Sequence, residues 1–217
     1  MNKGKYKLFI SQSNQAGFTI IESLVALLVA GLLLAAVAPV IVLSTATRVQ
    51  ARRVELATQA AKTYIDGVSS GSIQPPEQVL DTSTSTNPKL LDSAAVPTLE
   101  EFDKKDFLYC VDLDGGGCTK DSPKDLFIQA FRTNGDPKQG YFMGLRVYRT
   151  DAFKDSGTLK KNTSTSTKSV TQKTFTGGLG DRKAPLVEMT TEIVGSDINF
   201  KDLCTRLKQH NNDNSQC

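Results

Sequence analysis

From residue 18 to residue 43 the chain reads FTIIESLVALLVAGLLLAAVAPVIVL, an apolar run with a single ionisable side chain, Glu22. As a helix rising 1.5 Å per residue, it reaches roughly 39 Å. A hydrocarbon core of about 30 Å takes about 20 apolar residues to cross, so the run can span a bilayer with residues to spare. Apolar bulk alone is also all that a plain single-pass anchor needs. An ordinary secretory signal is a third reading, with Ala36-Val37-Ala38 as its small-residue cleavage site. That reading leaves Glu22 near the entrance of an unusually long apolar region. It also makes Pro39 the new N-terminus, a poor product for a general signal peptidase.

Glu22 weighs against the plain anchor. A carboxylate inside an apolar membrane helix costs about 2.5–3.5 kcal/mol on insertion scales, and a simple anchor has no use for it. A cation close by lowers that cost. Cleavage between Gly17 and Phe18 would supply one, because the new α-amine is cationic below a pKa of about 7.7–8.0. It would lie one helical turn from Glu22, at the end of the helix where partial positive charge gathers. Within one chain this pairing is geometrically imperfect, and a neighbouring subunit's amine is the alternative partner. Glu22 then acts as a register device, satisfied only when adjacent helices are correctly staggered.

The sequence Gln15-Ala16-Gly17-Phe18-Thr19-Ile20-Ile21-Glu22-Ser23-Leu24 closely resembles the cleavage and methylation motif of type IV prepilins and type II secretion pseudopilins. The resemblance implies that a membrane aspartyl peptidase cuts after Gly17 and methylates the amine of Phe18. It implies that Glu22 is the assembly glutamate and Pro39 the helix-kinking proline of many members. Lys3, Lys5 and Lys7 match the basic leader that stays cytoplasmic, as the positive-inside rule wants. Arg48, Arg52 and Arg53 follow the span closely, so charge counting alone leaves orientation open and the cleavage motif decides it. Past the membrane, residues 47–57 and 63–67 resemble the cyanobacterial pseudopilins linked to hormogonium polysaccharide secretion.

The formal charge of the chain is +3, and removal of the three leader lysines takes it to zero. Global charge therefore gives no argument for nucleic-acid binding. Residues 48–70 continue the helix in amphipathic form. Val54, Ala57, Ala61, Ile65 and Val68 recur at three- and four-residue steps as an apolar stripe, while Arg52, Glu55, Gln59, Lys62 and Asp66 mark another face. Lys62 and Asp66 can pair one turn apart. Gly67, Gly71 and Pro75-Pro76 end the helix. Pro39 removes a backbone bond and should bend or loosen the membrane half.

Beyond Pro76, residues 107–113, 126–133, 141–150 and 186–194 read as strands. The middle pair is joined by Asn134-Gly135-Asp136-Pro137, a strong turn signal. Met143, Leu145 and Val147 alternate with Phe142, Arg146 and Tyr148, so one face should meet the helix. The TSTST runs at 82–86 and 163–167 read as low-complexity surface loop. Residues 154–183 hold seven Lys or Arg against two Asp, either a solvated loop or a contact for an acidic polymer.

Four cysteines suit the disulfide-permissive side of a membrane and allow three connectivities. Cys110 and Cys118 flank a Gly-rich turn, and Cys204 and Cys217 close the tail, so local pairs are the expectation. A zinc site is disfavoured, since no CxxC pair exists and His210 is the only histidine. The same scarcity of histidine argues against Ser/His/Asp catalysis, and Gly177-Gly178-Leu179-Gly180 lacks the Lys-Ser/Thr of a phosphate loop. Asp112-Leu113-Asp114-Gly115-Gly116-Gly117 begins like a calcium loop, although no bidentate Glu follows at the EF-hand spacing. Some pseudopilins bind calcium, so Asp112 and Asp114 stand as a candidate pair against a plain turn. No cofactor and no enzymatic activity are expected.

These readings combine into an α+β chain: a long N-terminal membrane-spanning helix continuing into an amphipathic helix packed on a small antiparallel β-sheet head. The expected divisions are a leader over 1–17, a transmembrane and assembly helix over 18–43, its amphipathic half over 44–74, and a β-rich head over 75–217. The resemblance implies a minor pilin or pseudopilin of a bacterial inner membrane, N-terminus cytoplasmic and head periplasmic, or extracellular within a filament. Its implied partners are the prepilin peptidase, other pilins or pseudopilins, membrane lipid and an assembly platform with its ATPase. The competing classes are a membrane-anchored adhesion or sensor protein that never polymerises, and a secreted binding protein.

Overall fold

The structure is a computed structural model describing residues 17, 19–80, 91–103, 107–133, 136–163, 169–174, 180–195, 199–201 and 204. The basic leader, Phe18, Asn134, Gly135, His210 and Cys217 lie outside these residues, as do the 82–86 run and all of the 163–167 run except Thr163. The chain divides into two units, Met1–Ser44 and Thr45–Cys217.

One helix, α1 (Ile20–Ser69), carries the apolar run from Ile20 onward and the amphipathic stretch after it. Thr19 opens it as an N-cap: its hydroxyl accepts the Glu22 N–H at 3.3 Å, and its carbonyl accepts the Ser23 N–H at 3.1 Å. A threonine here satisfies an N–H that would otherwise have no partner in the first turn. The helix runs unbroken through Pro39, which lacks the N–H that would bond residue 35. It ends where Gly71 takes a left-handed φ of 76°. There the Gly71 N–H bonds the Val68 carbonyl, and Ile73 folds back to donate to Gly67. Ile73 occupies the space a side chain at Gly67 would need.

The head is a five-stranded sheet of β1 (Val79–Leu80), β2 (Leu108–Val111), β3 (Leu126–Thr133), β4 (Tyr141–Arg149) and β5 (Val187–Ile193). Its backbone order is β1-β3-β4-β5, with β2 also on β3. β3, β4 and β5 form an antiparallel meander in which Ile128 opposes Val147 and Leu145 opposes Met189. The far edge of β3 is shared: β2 pairs antiparallel along its first half, and β1 pairs parallel with Arg132 and Thr133. The sheet is therefore mixed, which corrects the expected antiparallel head. Two residues carry too little pattern to read β1 from sequence.

The alternation of β3 and β4 sorts the core. Leu126, Ile128 and Ala130 with Met143, Leu145 and Val147 pack in one cluster with Ala57, Ala61, Tyr64 and Val68 of α1. Val54 and Ile65 flank this cluster, so the stripe read from sequence lies where expected, joined by Tyr64, which the sequence stripe did not include. The ion pair on this helix joins Arg52 to Glu55 at 2.8 Å, not Lys62 to Asp66.

The other sheet face is not a solvated polar face. Every residue of β4 is buried. Phe127, Tyr148, Ala152, Phe153 and Leu159 form a second cluster, and Phe131, Phe142 and Ala94 a third. Segments 91–103 and 150–162 cover this face, and Arg146 joins them to it. Its Nε bonds Glu188 at 3.1 Å, its Nη1 bonds Gln129 at 3.1 Å and the Ala94 carbonyl at 3.2 Å, and its Nη2 reaches the Leu91 carbonyl.

Candidate processing and assembly site

Thr19 and Glu22 begin the helix as a Thr-x-x-Glu box, a pattern that marks helix starts and that the sequence reading passed over. Its consequence is positional. α1 begins at Ile20, three residues past Gly17, and Gly17 itself lies outside the helix. Gly17 is exposed, and a Cβ built on it meets nothing within 4 Å. A peptidase needs such an open, non-helical strand of backbone. Glu22 lies in the first turn, where the helix dipole favours an acidic side chain.

From Ile20 to Leu43 every residue is exposed, Ile20 at 89% and Leu27 at 75% among the largest. Water does not tolerate a patch of this size on a soluble monomer. A bilayer or a bundle of like helices is required to cover it, and Glu22 is the only charge it carries.

These features lie where residues 12–38 match the family model described as the prokaryotic N-terminal methylation motif. The N-terminal segment is that of the type IV pilin and pseudopilin family. Pilin-type processing by a prepilin peptidase and assembly with other pilins follow from that motif, as does the role of a structural subunit. Neither the curated proteins nor the solved structures contain a match to the chain. The pilin-type segment thus carries the family relationship, while the head is described by its own geometry.

In the head, Cys110 and Cys118 are joined across the turn between β2 and β3, their Cα atoms 6.0 Å apart. Cys204 is disulfide-bonded as well, whereas the expected partner Cys217 lies outside the described residues. The loop closed by Cys110–Cys118 is organised by its acids. Asp112 accepts the N–H groups of Asp114 at 3.0 Å, Gly115 at 2.7 Å and Gly117 at 2.8 Å. These N–H groups, Gly117 first and Gly115 next, hold the Asp112 carboxyl below the ordinary carboxylate range. Asp114 accepts from the Ser122 hydroxyl at 3.0 Å.

Asp125, fully buried, accepts the Leu113 N–H at 3.0 Å and brings a third carboxylate oxygen within 4.8 Å of those of Asp112 and Asp114. Asp125 was not legible as a member, because it arrives from beyond the loop at no calcium-loop spacing. Proline occupies position 123, where an EF-hand counted from Asp112 places its glutamate. Asp112 and Asp114 both accept hydrogen bonds within this turn, Asp114 from the Gly116 N–H at 3.3 Å as well as from Ser122.

The basic stretch 154–183 is largely taken up by the fold. Lys154 pairs with Asp121 at 2.7 Å, Lys160 with Asp181 at 2.6 Å and Arg182 with Asp155 at 2.8 Å. Lys161 and Lys183 bond main-chain carbonyls of Ala94 and Ala152.

Proposed function

We propose that this chain is a minor pilin or pseudopilin, cut after Gly17, N-methylated on Phe18 and drawn into a pilus or pseudopilus by an ATPase-driven inner-membrane platform. In this reading residues 1–17 are the leader, 18–43 the transmembrane and assembly helix, and 44–74 its amphipathic half. Residues 75–217 are then the head, on the periplasmic side or outside the cell. The filament serves secretion or motility, and the resemblance of residues 47–57 to hormogonium pseudopilins favours polysaccharide secretion. The single observation that carries the proposal is Glu22: one carboxylate, one turn into an uncovered apolar helix that starts just past the motif's glycine.

Glu22→Leu separates a filament subunit from a simple anchor. Removing the charge makes lipid insertion as good or better, and Gly17 is untouched, so cleavage continues. Assembly should fail or slow, because the amine of a neighbouring Phe18 loses its partner inside an apolar bundle. Loss of one member of a buried charge pair costs about 3–5 kcal/mol, enough to disturb helix register. The assay is filament formation or secretion, with membrane level and processing measured alongside. Normal assembly at normal expression would favour the non-polymerising anchor instead.

A further inference from the structure

While the cations of 154–183 are largely matched, a second basic grouping is not. A cleft of about 620 Å³ opens in the head unit against the stretch of α1 that follows the apolar run. Arg48, Arg52 and Arg53 line it from the helix, Lys124 from the loop before β3, and Arg149 from the end of β4. No carboxylate is among its lining residues. Arg52 is paired with Glu55 on the exposed rim and Arg149 with Asp151, while the buried Asp125 accepts the Leu113 N–H behind the lining. Among the described residues, Arg48, Arg53 and Lys124 form no ion pair, three cations in surplus over the two that are paired.

Two details describe the cationic wall of the cleft. Arg149 is 5% exposed and its Nη2 is paired with Asp151, while its Nε and the Asp151 Oδ1 are both buried without a hydrogen-bond partner. A buried donor left unsatisfied is costly, and a charged one more so. Arg53 is held below the ordinary arginine range, first by desolvation and then by repulsion from Arg149, with Asp151 offsetting part of the effect. The planar guanidinium fork of each residue matches phosphate oxygens in pairs.

The rest of the lining is apolar, supplied by Val49, Leu56, Leu113 and Leu126. A small hydrated anion has no use for such walls, whereas an amphiphile does. Sequence position agrees: Arg48 stands five residues after Leu43, where the apolar run ends. The headgroup layer on each side of a bilayer is about 5–8 Å deep, equivalent to about five helical residues. Basic residues at that depth are attracted to anionic lipid.

We propose that this cleft holds the phosphate headgroup of an anionic phospholipid, with Arg53 and Arg149 as the phosphate-facing cations and Arg48 and Lys124 at the rim. The proposal rests on the reading of residues 18–43 as a membrane anchor. Such a site would hold the head against the membrane surface before assembly, and extraction into a filament would have to release the lipid.

The test uses the full chain in detergent micelles, offered equal amounts of phosphatidylglycerol and phosphatidylcholine and weighed intact by native mass spectrometry. Phosphatidylglycerol should be retained over phosphatidylcholine by about tenfold or more, as three surplus charges imply. The combined variant Arg48→Gln, Arg53→Gln, Lys124→Gln should lose that preference. Equal retention of the two lipids by the unaltered chain overturns the proposal, whether or not the variant folds. So does a preference that the folded variant keeps. Water-soluble glycerol phosphate binding as tightly as the lipid would make the ligand a free phosphate ester and overturn the lipid source. Loss of self-association in the variant, with lipid preference intact, would assign the cleft to a second copy of the chain. Retention in alkaline carbonate is scored separately. An anchored chain without lipid preference refutes the cleft alone, and a chain washed out with its preference intact refutes only the anchor.

Discussion

Arg146 has no exposed surface, and its guanidinium reaches Glu188, Gln129 and the carbonyls of Leu91 and Ala94. Glu188 in turn accepts the Asn162 side-chain amide at 2.6 Å, so one ion pair fastens two irregular segments to the sheet. Arg146→Ala would strand Glu188, whose side chain is 3% exposed, and should cost about 3–5 kcal/mol. That is a large part of the roughly 5–15 kcal/mol of a typical domain. Denaturant unfolding of the full chain in detergent measures the loss. The double replacement Arg146→Met, Glu188→Leu should recover most of it, since a pair of well-packed apolar groups leaves no charge stranded. Gly17 presents the opposite case. Nothing within the chain lies near its missing Cβ, so Gly17→Val should leave folding and membrane insertion unchanged. Processing should nevertheless slow by about tenfold or more, because the peptidase meets a crowded bond. Wild-type processing of that variant, followed by immunoblot, would remove the peptidase from the account.

The two halves of α1 obey different rules although they form one helix. After Thr45 the helix has a buried face that its three- and four-residue spacing announced, with Ala57, Ala61 and Val68 each fully or almost fully covered. Before it, apolar residues go all round, and no periodicity could say which faces lipid and which faces a neighbour. The start of the helix lies in the Thr19–Glu22 box, a local capping signal that the apolar run overshadows in the sequence. In the sheet, the face of β4 that meets the helix followed from the alternation of Met143, Leu145 and Val147. The burial of the opposite face did not, since segments 91–103 and 150–162 carry no repeating pattern, and Arg146 and Tyr148 look like exposed polar positions until those segments close over them. The turn between β2 and β3 makes a prediction of its own. Asp112 has a lowered pKa in the folded chain, so its contribution is present above the ordinary carboxylate value of about 3.9 and is lost as pH falls through the folded value. Asp181 behaves likewise, held down first by its hydrogen bond from Lys160. Thermal unfolding followed from pH 6 downward should show an acid limb that Asp112→Asn flattens. An unchanged limb would mean that other carboxylates set it.

The whole molecule joins an N-terminal segment that matches the methylation motif to a head with a covered sheet, a disulfide-closed loop and a cationic cleft. The family relationship rests on residues 12–38, and it was legible because a peptidase and a lipid bilayer read sequence almost directly: a glycine, an open bond, an apolar run and one carboxylate. The cleft was not legible, since Arg48 and Arg53 come from the helix, Lys124 from a loop and Arg149 from a strand that only the fold brings together. The proposed function depends above all on a division between leader and mature chain after Gly17, a single chemical event. The most direct measurement is the mass of the mature N-terminal peptide from membranes of the native host. The account predicts a peptide beginning at Phe18 and carrying one methyl group on its α-amine. An intact Met1, or a chain beginning at Pro39, would contradict it.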